Sequence, residues 1–107
     1  MPIVQKVGAT FKHEYIIPEK YLDGALKDHV IKVHLRKARS NLNSDFIAEL
    51  NTTWLNPRTT RTLIIRHLAT DNWPVGEAVF EIKLIDPIGN VEFLDEVEVL
   101  IKPSITK

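Results

Sequence analysis

The residues best suited to acid–base or metal chemistry in this chain are its four histidines, His13, His29, His34 and His67. Imidazole titrates near neutrality and is the commonest metal ligand. No two of these histidines stand at H-x-H or H-x-x-x-H spacing, and the four fall on three separate strands or strand ends. A zinc centre needs three or four ligands converging on one ion. The constellation left to test is His34 with His67 across a sheet and a carboxylate nearby, as a small hydrolase or metal-dependent enzyme would need. Its requirement is geometric: both rings must enter one cleft. Solvent-facing or edge-strand histidines are the favoured reading.

The acidic group Glu92, Asp95, Glu96 and Glu98 lacks the D-x-D-x-D-G spacing that crowds oxygens around calcium. Strand alternation puts Glu92, Glu96 and Glu98 on one solvated face, where charge guards a sheet edge against aggregation. The basic run from His34 to Arg39, with Arg58, Arg61 and Arg66, is the best nucleic-acid candidate. Single-strand binders interleave cations with aromatics for base stacking, and this run holds none. Fourteen basic residues also balance fourteen acidic ones, so the excess that drives phosphate binding is missing. The run is read as a strand end and loop facing acidic groups of this chain or of a protein partner. Ser40, Ser44 and Ser104 stand outside any G-x-S-x-G, and glycine spacing offers no phosphate loop. The chain has no cysteine, which removes disulfides and thiol chemistry. No catalytic residue, cofactor or metal site is expected, and no small-molecule substrate.

What positions these side chains is a series of short strands. Phe11, His13, Tyr15 and Ile17 share one face of a strand stopped by Pro18. Ile31, Val33 and Leu35 oppose Lys32, His34 and Arg36 on the next. Phe46–Leu50 and Thr60–Leu68 follow. Ala78, Phe80, Ile82 and Leu84 face one way, and Val97, Val99 and Ile101 oppose Glu96, Glu98 and Lys102. Turns at Asp23-Gly24, Asn56-Pro57 and Asp86-Pro87-Ile88-Gly89-Asn90 punctuate them. Period-two runs at this spacing predict an all-β sandwich or small barrel of about seven strands. The stretch 19–27 also fits a short helical turn with Tyr21, Leu22, Ala25 and Leu26 on one side. At 107 residues the chain is one domain, residues 1–107, with the segment to Val7 read as a flexible or partner-ordered arm. No stretch is long and apolar enough to span a bilayer, and no signal-length apolar run opens the chain, which predicts synthesis in a cytoplasm.

Trp73, ahead of Pro74-x-Gly76, is expected to plug the end of the core. Trp54 sits among polar residues and is expected to be more exposed, as an interface anchor. Ile16, Ile64, Val79, Ile85 and Leu100 fall opposite the core faces, where a sandwich should be polar. Grouped on one sheet, they would suggest a homo-oligomeric interface or docking onto another protein, whereas scattered singly they are ordinary surface. The interface expectation therefore names Trp54, Ile64, Val79, Ile85 and Leu100.

Three places carry a resemblance to a known family. Gly8-Ala9-Thr10-Phe11 resembles that family's opening "G-[DA]-T-F". His34-Leu35-Arg36 followed by Asp45-Phe46 resembles its strand ending in Arg, loop and strand. Thr70 to Gly76 resembles "T-x-x-[LW]-P-x-G", followed by Glu81-Ile82 for Asp-Ile and Asp86 to Val91 for "D-P-D-G-x-V". Ile105-Thr106 stands where those proteins often end in Val-Thr. Glu81 for Asp and Ile88 for the polar turn residue are departures. The family so resembled is one of small phage and prophage proteins associated with tail or baseplate assembly, and the resemblance implies an immunoglobulin-like antiparallel β-sandwich and no catalytic residues. It implies a structural or adaptor protein of the virion, made in a bacterial cytoplasm, bound to other virion proteins and self-associating. The competing expectation is a cytoplasmic carbohydrate- or peptide-binding sandwich using Trp54 and Tyr21.

Overall fold

The structure is a computed structural model that describes residues 3–38 and 46–104. The expectations placed on Arg39, Ser40, Ser44, Asp45, Ile105 and Thr106 lie outside the described residues. Seven strands run in order: β1 (Ile3–Lys6), β2 (Phe11–Ile16), β3 (Val30–Lys37), β4 (Phe46–Trp54), β5 (Thr62–His67), β6 (Gly76–Ile85) and β7 (Val91–Lys102). Their spatial order is β1-β7-β6-β3-β4-β5-β2.

This continuous ribbon becomes two layers because β4 belongs to both. Its first half pairs with β3, from Val33 opposite Leu50 to Arg36 opposite Phe46. Its second half, Asn51–Trp54, pairs with β5. One layer is therefore β1-β7-β6-β3-β4, and β4-β5-β2 closes over it. The alternation read from sequence drives the packing. Ala78, Phe80, Ile82 and Leu84 of β6 and Val33 and Leu35 of β3 are buried, against Phe11, Tyr15, Leu63 and Ile65 of the second layer. Phe11 of β2 meets Phe80 of β6 edge-on at 6.2 Å, and Trp73 at 5.6 Å. Trp73 does plug the core, 5% exposed. The protein is an all-β, immunoglobulin-like sandwich that curls nearly into a barrel.

One pairing departs from the antiparallel expectation. Ile3–Lys6, read as an arm, forms β1 and pairs in parallel with Val99–Lys102. Backbone satisfaction explains it, since the end of β7 would otherwise expose a row of unpaired groups. Gln5 is buried and its Nε2 donates to the Ala9 carbonyl at 2.6 Å. The buried Thr70 hydroxyl accepts from the Gly8 N–H at 2.9 Å and donates to the Ala9 carbonyl at 2.6 Å. These bonds fix the turn that carries β1 into β2.

The stretch 19–27 is not helical. It forms successive turns, with N–H of Ala25, Lys27 and His29 donating to the carbonyls of Leu22, Gly24 and Leu26. Only Leu26 of the proposed apolar side is buried, while Leu22 and Ala25 are exposed. Tertiary contacts override the helical pattern. Arg61 at the entry to β5 donates to the carbonyls of Pro18 and Tyr21 and pairs with Asp23 at 3.2 Å. The Gly24 N–H donates to the Thr59 carbonyl at 2.7 Å.

Gly24 has φ +80° and an added Cβ would lie 2.9 Å from the Arg58 carbonyl oxygen. Both the left-handed backbone and the contact oppose any side chain there. Gly24→Ala is expected to destabilise the fold by about 1–3 kcal/mol in urea unfolding. A variant as stable as wild type would show that this loop is not held against the 56–60 turn.

Candidate functional site

The outer face of the β1-β7-β6-β3-β4 layer carries the richest arrangement of side chains. Three adjacent strands each present a column. From β3 come Val30, Lys32, His34 and Arg36; from β6, Ile85, Lys83, Glu81 and Val79 stand opposite them in register. On β7 the partners of that β6 column are Val91, Phe93, Glu96 and Glu98.

The β7 column depends on a bulge. Glu81 faces Glu96 while Lys83 faces Phe93, so Leu94 and Asp95 together stand opposite Ile82. A bulge reverses the phase of alternation. Glu96 and Glu98 point outward as the alternation predicted, but beyond the bulge it is Val91 and Phe93 that point outward. Leu94 turns in against the core. Glu92 leaves the acidic face and pairs with Lys20 at 3.1 Å. Asp95 accepts a hydrogen bond from the Tyr15 hydroxyl of β2 at 3.0 Å, which ties the bulge to the other layer. Burial first, and then the Asp95 carboxylate, push the Tyr15 hydroxyl up to about 12. The acidic group thus splits three ways, into Glu92, Asp95, and Glu96 with Glu98. Among the described residues no group of three His, Cys, Asp or Glu side chains is arranged to hold a metal ion.

At the β6–β7 hairpin end the three columns meet in an apolar row. Val30, Ile85 and Val91 lie side by side. Val30 is 53% exposed, Val91 50%, the next residue of that column, Phe93, 54%, and Ile88 in the adjoining turn 84%. Asp86 Oδ1 accepts from the N–H of Ile88 and Asn90 at 3.0 and 2.8 Å, fixing that turn. Side chains of this type concentrated on one face mark contact surfaces more than ordinary solvated sheet.

The rest of the face is charged, and its β3–β4 side is paired locally. Glu49 of β4 lies 3.9 Å from Lys32 and 3.6 Å from His34. The Arg36 guanidinium sits 5.6 Å over the Phe46 ring. Phe46 and Phe93, far from the basic run in sequence, are thus brought beside it; only the cross-strand register reveals this. Arg58 lies in an exposed turn, Arg61 holds the 18–24 loop, and Arg66 sits on the other layer, so they do not extend the basic run.

The five expected interface residues do not share one surface. Val79, Ile85 and Leu100 lie on the outer face just described, with Val4 opposite Leu100 on β1. Ile64 lies on the outer face of the second layer between Glu14 and Thr53. Ile16 is on that layer too, 67% exposed. Trp54 pairs with Leu63, so its ring turns inward and packs against the core. A ring this close to the core's end is filled around by apolar neighbours, which is why its polar sequence context misleads.

His34 and His67 do not converge. His34 is on the outer face, while His67 pairs with Phe11 and stacks at 5.6 Å on Trp73 inside the sandwich. The two-histidine hydrolase site is therefore not formed. His29 closes the last turn before β3, its backbone N–H donating to the Leu26 carbonyl at 3.1 Å. His13 lies in the seam between the free edge of β2 and β7, lined by Tyr15, Asp95, Glu96 and Glu98. Its ring meets Phe80 edge-on at 6.1 Å. Burial holds its pKa below the ordinary 6.5, against an opposing pull from Glu14.

No protein-family model matches the sequence, and none of the curated proteins does. Known structures do share the architecture. The SrpA adhesin R347E mutant from Streptococcus sanguinis superposes with a TM-score of 0.54 at 14% identity, over 96% of this chain. The chain spans 55% of the length of that adhesin chain. CopC from Methylosinus trichosporium OB3b gives 0.47 at 12% identity, over 98% of this chain and 89% of its own. Murine CRIg gives 0.42 at 14%, over 94% and 92%. At such identities the adhesin likeness speaks to the fold alone, and the two lower scores add nothing to it.

A histidine whose folded pKa lies below its unfolded one stabilises the fold above the unfolded value, and that stability is lost as pH falls through the folded value. The melting temperature is therefore expected to fall as pH drops from about 7 through the region below His13's ordinary pKa of 6.5. His13→Leu should flatten that part of the profile in circular-dichroism melts. An identical pH profile for the variant would remove His13 as the cause.

Proposed function

We propose that this protein is a non-enzymatic structural or adaptor module that works by protein–protein contact, and that it does so in a phage or prophage virion. The observation that carries the first part is the exposed apolar row Val30–Ile85–Val91 with Phe93 and Ile88, on a face otherwise studded with charge of both signs. Apolar anchors inside a polar rim are the anatomy of a protein interface. The virion setting is supported by the motif resemblance around Gly8, Arg36 and Trp73 to Val91 and by the immunoglobulin-like sandwich that the resemblance implies. The carbohydrate- or peptide-binding alternative needs Trp54 and Tyr21 as flat, open platforms. Both rings are instead partly buried against the core, which favours the contact module.

The test is the composition of purified particles released on prophage induction from the bacterium that encodes this chain. Quantitative mass spectrometry is expected to find the chain in the particles at a fixed ratio to their tail proteins. Its confinement to the soluble fraction, with none in the particles, would sink the virion reading.

A further inference from the structure

The columns on the outer face have a sign pattern of their own. The β3 column is basic, with Lys32, His34 and Arg36. The β7 column on the other side of β6 runs from Val91 and Phe93 at the hairpin through Glu96 and Glu98 to Leu100. Both columns begin with an exposed valine in the same row. They stand at equal distances from β6, since neighbouring strands are about 4.8 Å apart. Turned over about an axis along β6, the β3 and β7 columns complement each other.

We infer that this face pairs with a second copy of the chain about a two-fold axis lying along β6, sheet against sheet. The inference rests on the reading of this face as a protein-contact surface, and it names the partner. A two-fold interface is isologous, so each contact occurs twice. Val30 packs on the second copy's Val91, and Lys32 lies over the second copy's Phe93, a cation on an aromatic face. His34 meets Glu96, and Arg36 meets Glu98. Along the axis Ile85 and Val79 face themselves, as does Glu77 at the end of the column. Lys83 and Glu81 lie two residues apart in that column, about 7 Å, within reach of a lysine side chain, so each Lys83 has the other copy's Glu81 to pair with.

Charge complementarity selects this occupant over an arbitrary partner. Glu96 and Glu98 make no ion pair with other described residues. Glu49 offsets part of the charge of Lys32 and His34 but lies beyond Arg36. The formal net charge of zero opposes no approach between copies.

Light scattering and sedimentation across a concentration series test the pairing. Wild type is expected to show a monomer–dimer equilibrium. Lys32→Glu with Arg36→Glu makes both outer columns acidic, and Glu96→Lys with Glu98→Lys makes both basic. Either pair alone should raise the dissociation constant at least about tenfold, because like charges then face each other. Mixing the two variants should restore a dimer, now heterodimeric, since each acidic column again meets a basic one. All four positions point outward, and circular-dichroism melts check that each variant folds. A wild type monomeric up to about 1 mM overturns the inference, as does a dimer indifferent to both reversals or a mixture that stays monomeric. None of these outcomes bears on whether the chain is found in virions, so that reading stands or falls separately on the particle composition.

Discussion

The bulge at Leu94–Asp95 is the constraint on which the outer face depends. Twelve residues of β7 run against β6, and one extra residue midway reverses which side chains look out. Without it, Glu92 and Leu94 would continue the outward column of Glu96 and Glu98, and Val91 and Phe93 would turn toward the core side. With it, an apolar start and an acidic stretch share one column. The Tyr15–Asp95 hydrogen bond holds the displaced residue against β2. A bulge normally makes a strand edge less inviting to pair with. Here it also composes the face perpendicular to that edge.

The second organising feature is the bend of β4. Its passage from β3 to β5 at Leu50–Asn51 converts one ribbon of strands into two facing layers. Everything buried follows from that closure, including the stack of His67, Trp73, Phe11 and Phe80. The peripheral segments are then pinned by single polar residues. Thr70 and Gln5 hold the β1–β2 turn, and Arg61 holds the loop before β3. Each satisfies backbone groups that would otherwise be buried without partners. The strand entering at β1 completes the sheet for the same reason.

Local pattern carried the fold further than it carried the site. Alternation in β3 and β6 named Val33, Leu35, Phe80, Ile82 and Leu84 as core, and all are buried. Pro-x-Gly after Trp73 located the core plug. What alternation cannot register is an inserted residue, so it assigns Glu92 to the wrong face and leaves Phe93 unmarked. Pairing partners are equally silent in one dimension. Nothing around Ile3–Lys6 announces a parallel partner nearly a hundred positions away. The helical pattern at 19–27 was real in sequence, yet Arg61 and Thr59 supplied better partners for those backbone groups. Trp54 has polar neighbours in sequence and apolar neighbours in space. The outward apolar residues were correctly placed on outer faces, but their division between two layers required the strand order.

Val79 sits midway along the outer face, on the β6 column, and Ile64 sits on the opposite layer. The chain has no cysteine, so either position can be given a unique thiol. The most direct measurement is cross-linking of Val79→Cys and of Ile64→Cys with a short bis-maleimide in solution. Sheets that pack face to face lie about 10 Å apart, within the span of such a linker. Covalent dimer from Val79→Cys and none from Ile64→Cys is the outcome expected if β6 lies on the two-fold axis. Efficient cross-linking through Ile64→Cys, or none through Val79→Cys at concentrations where the chain is dimeric, would contradict it.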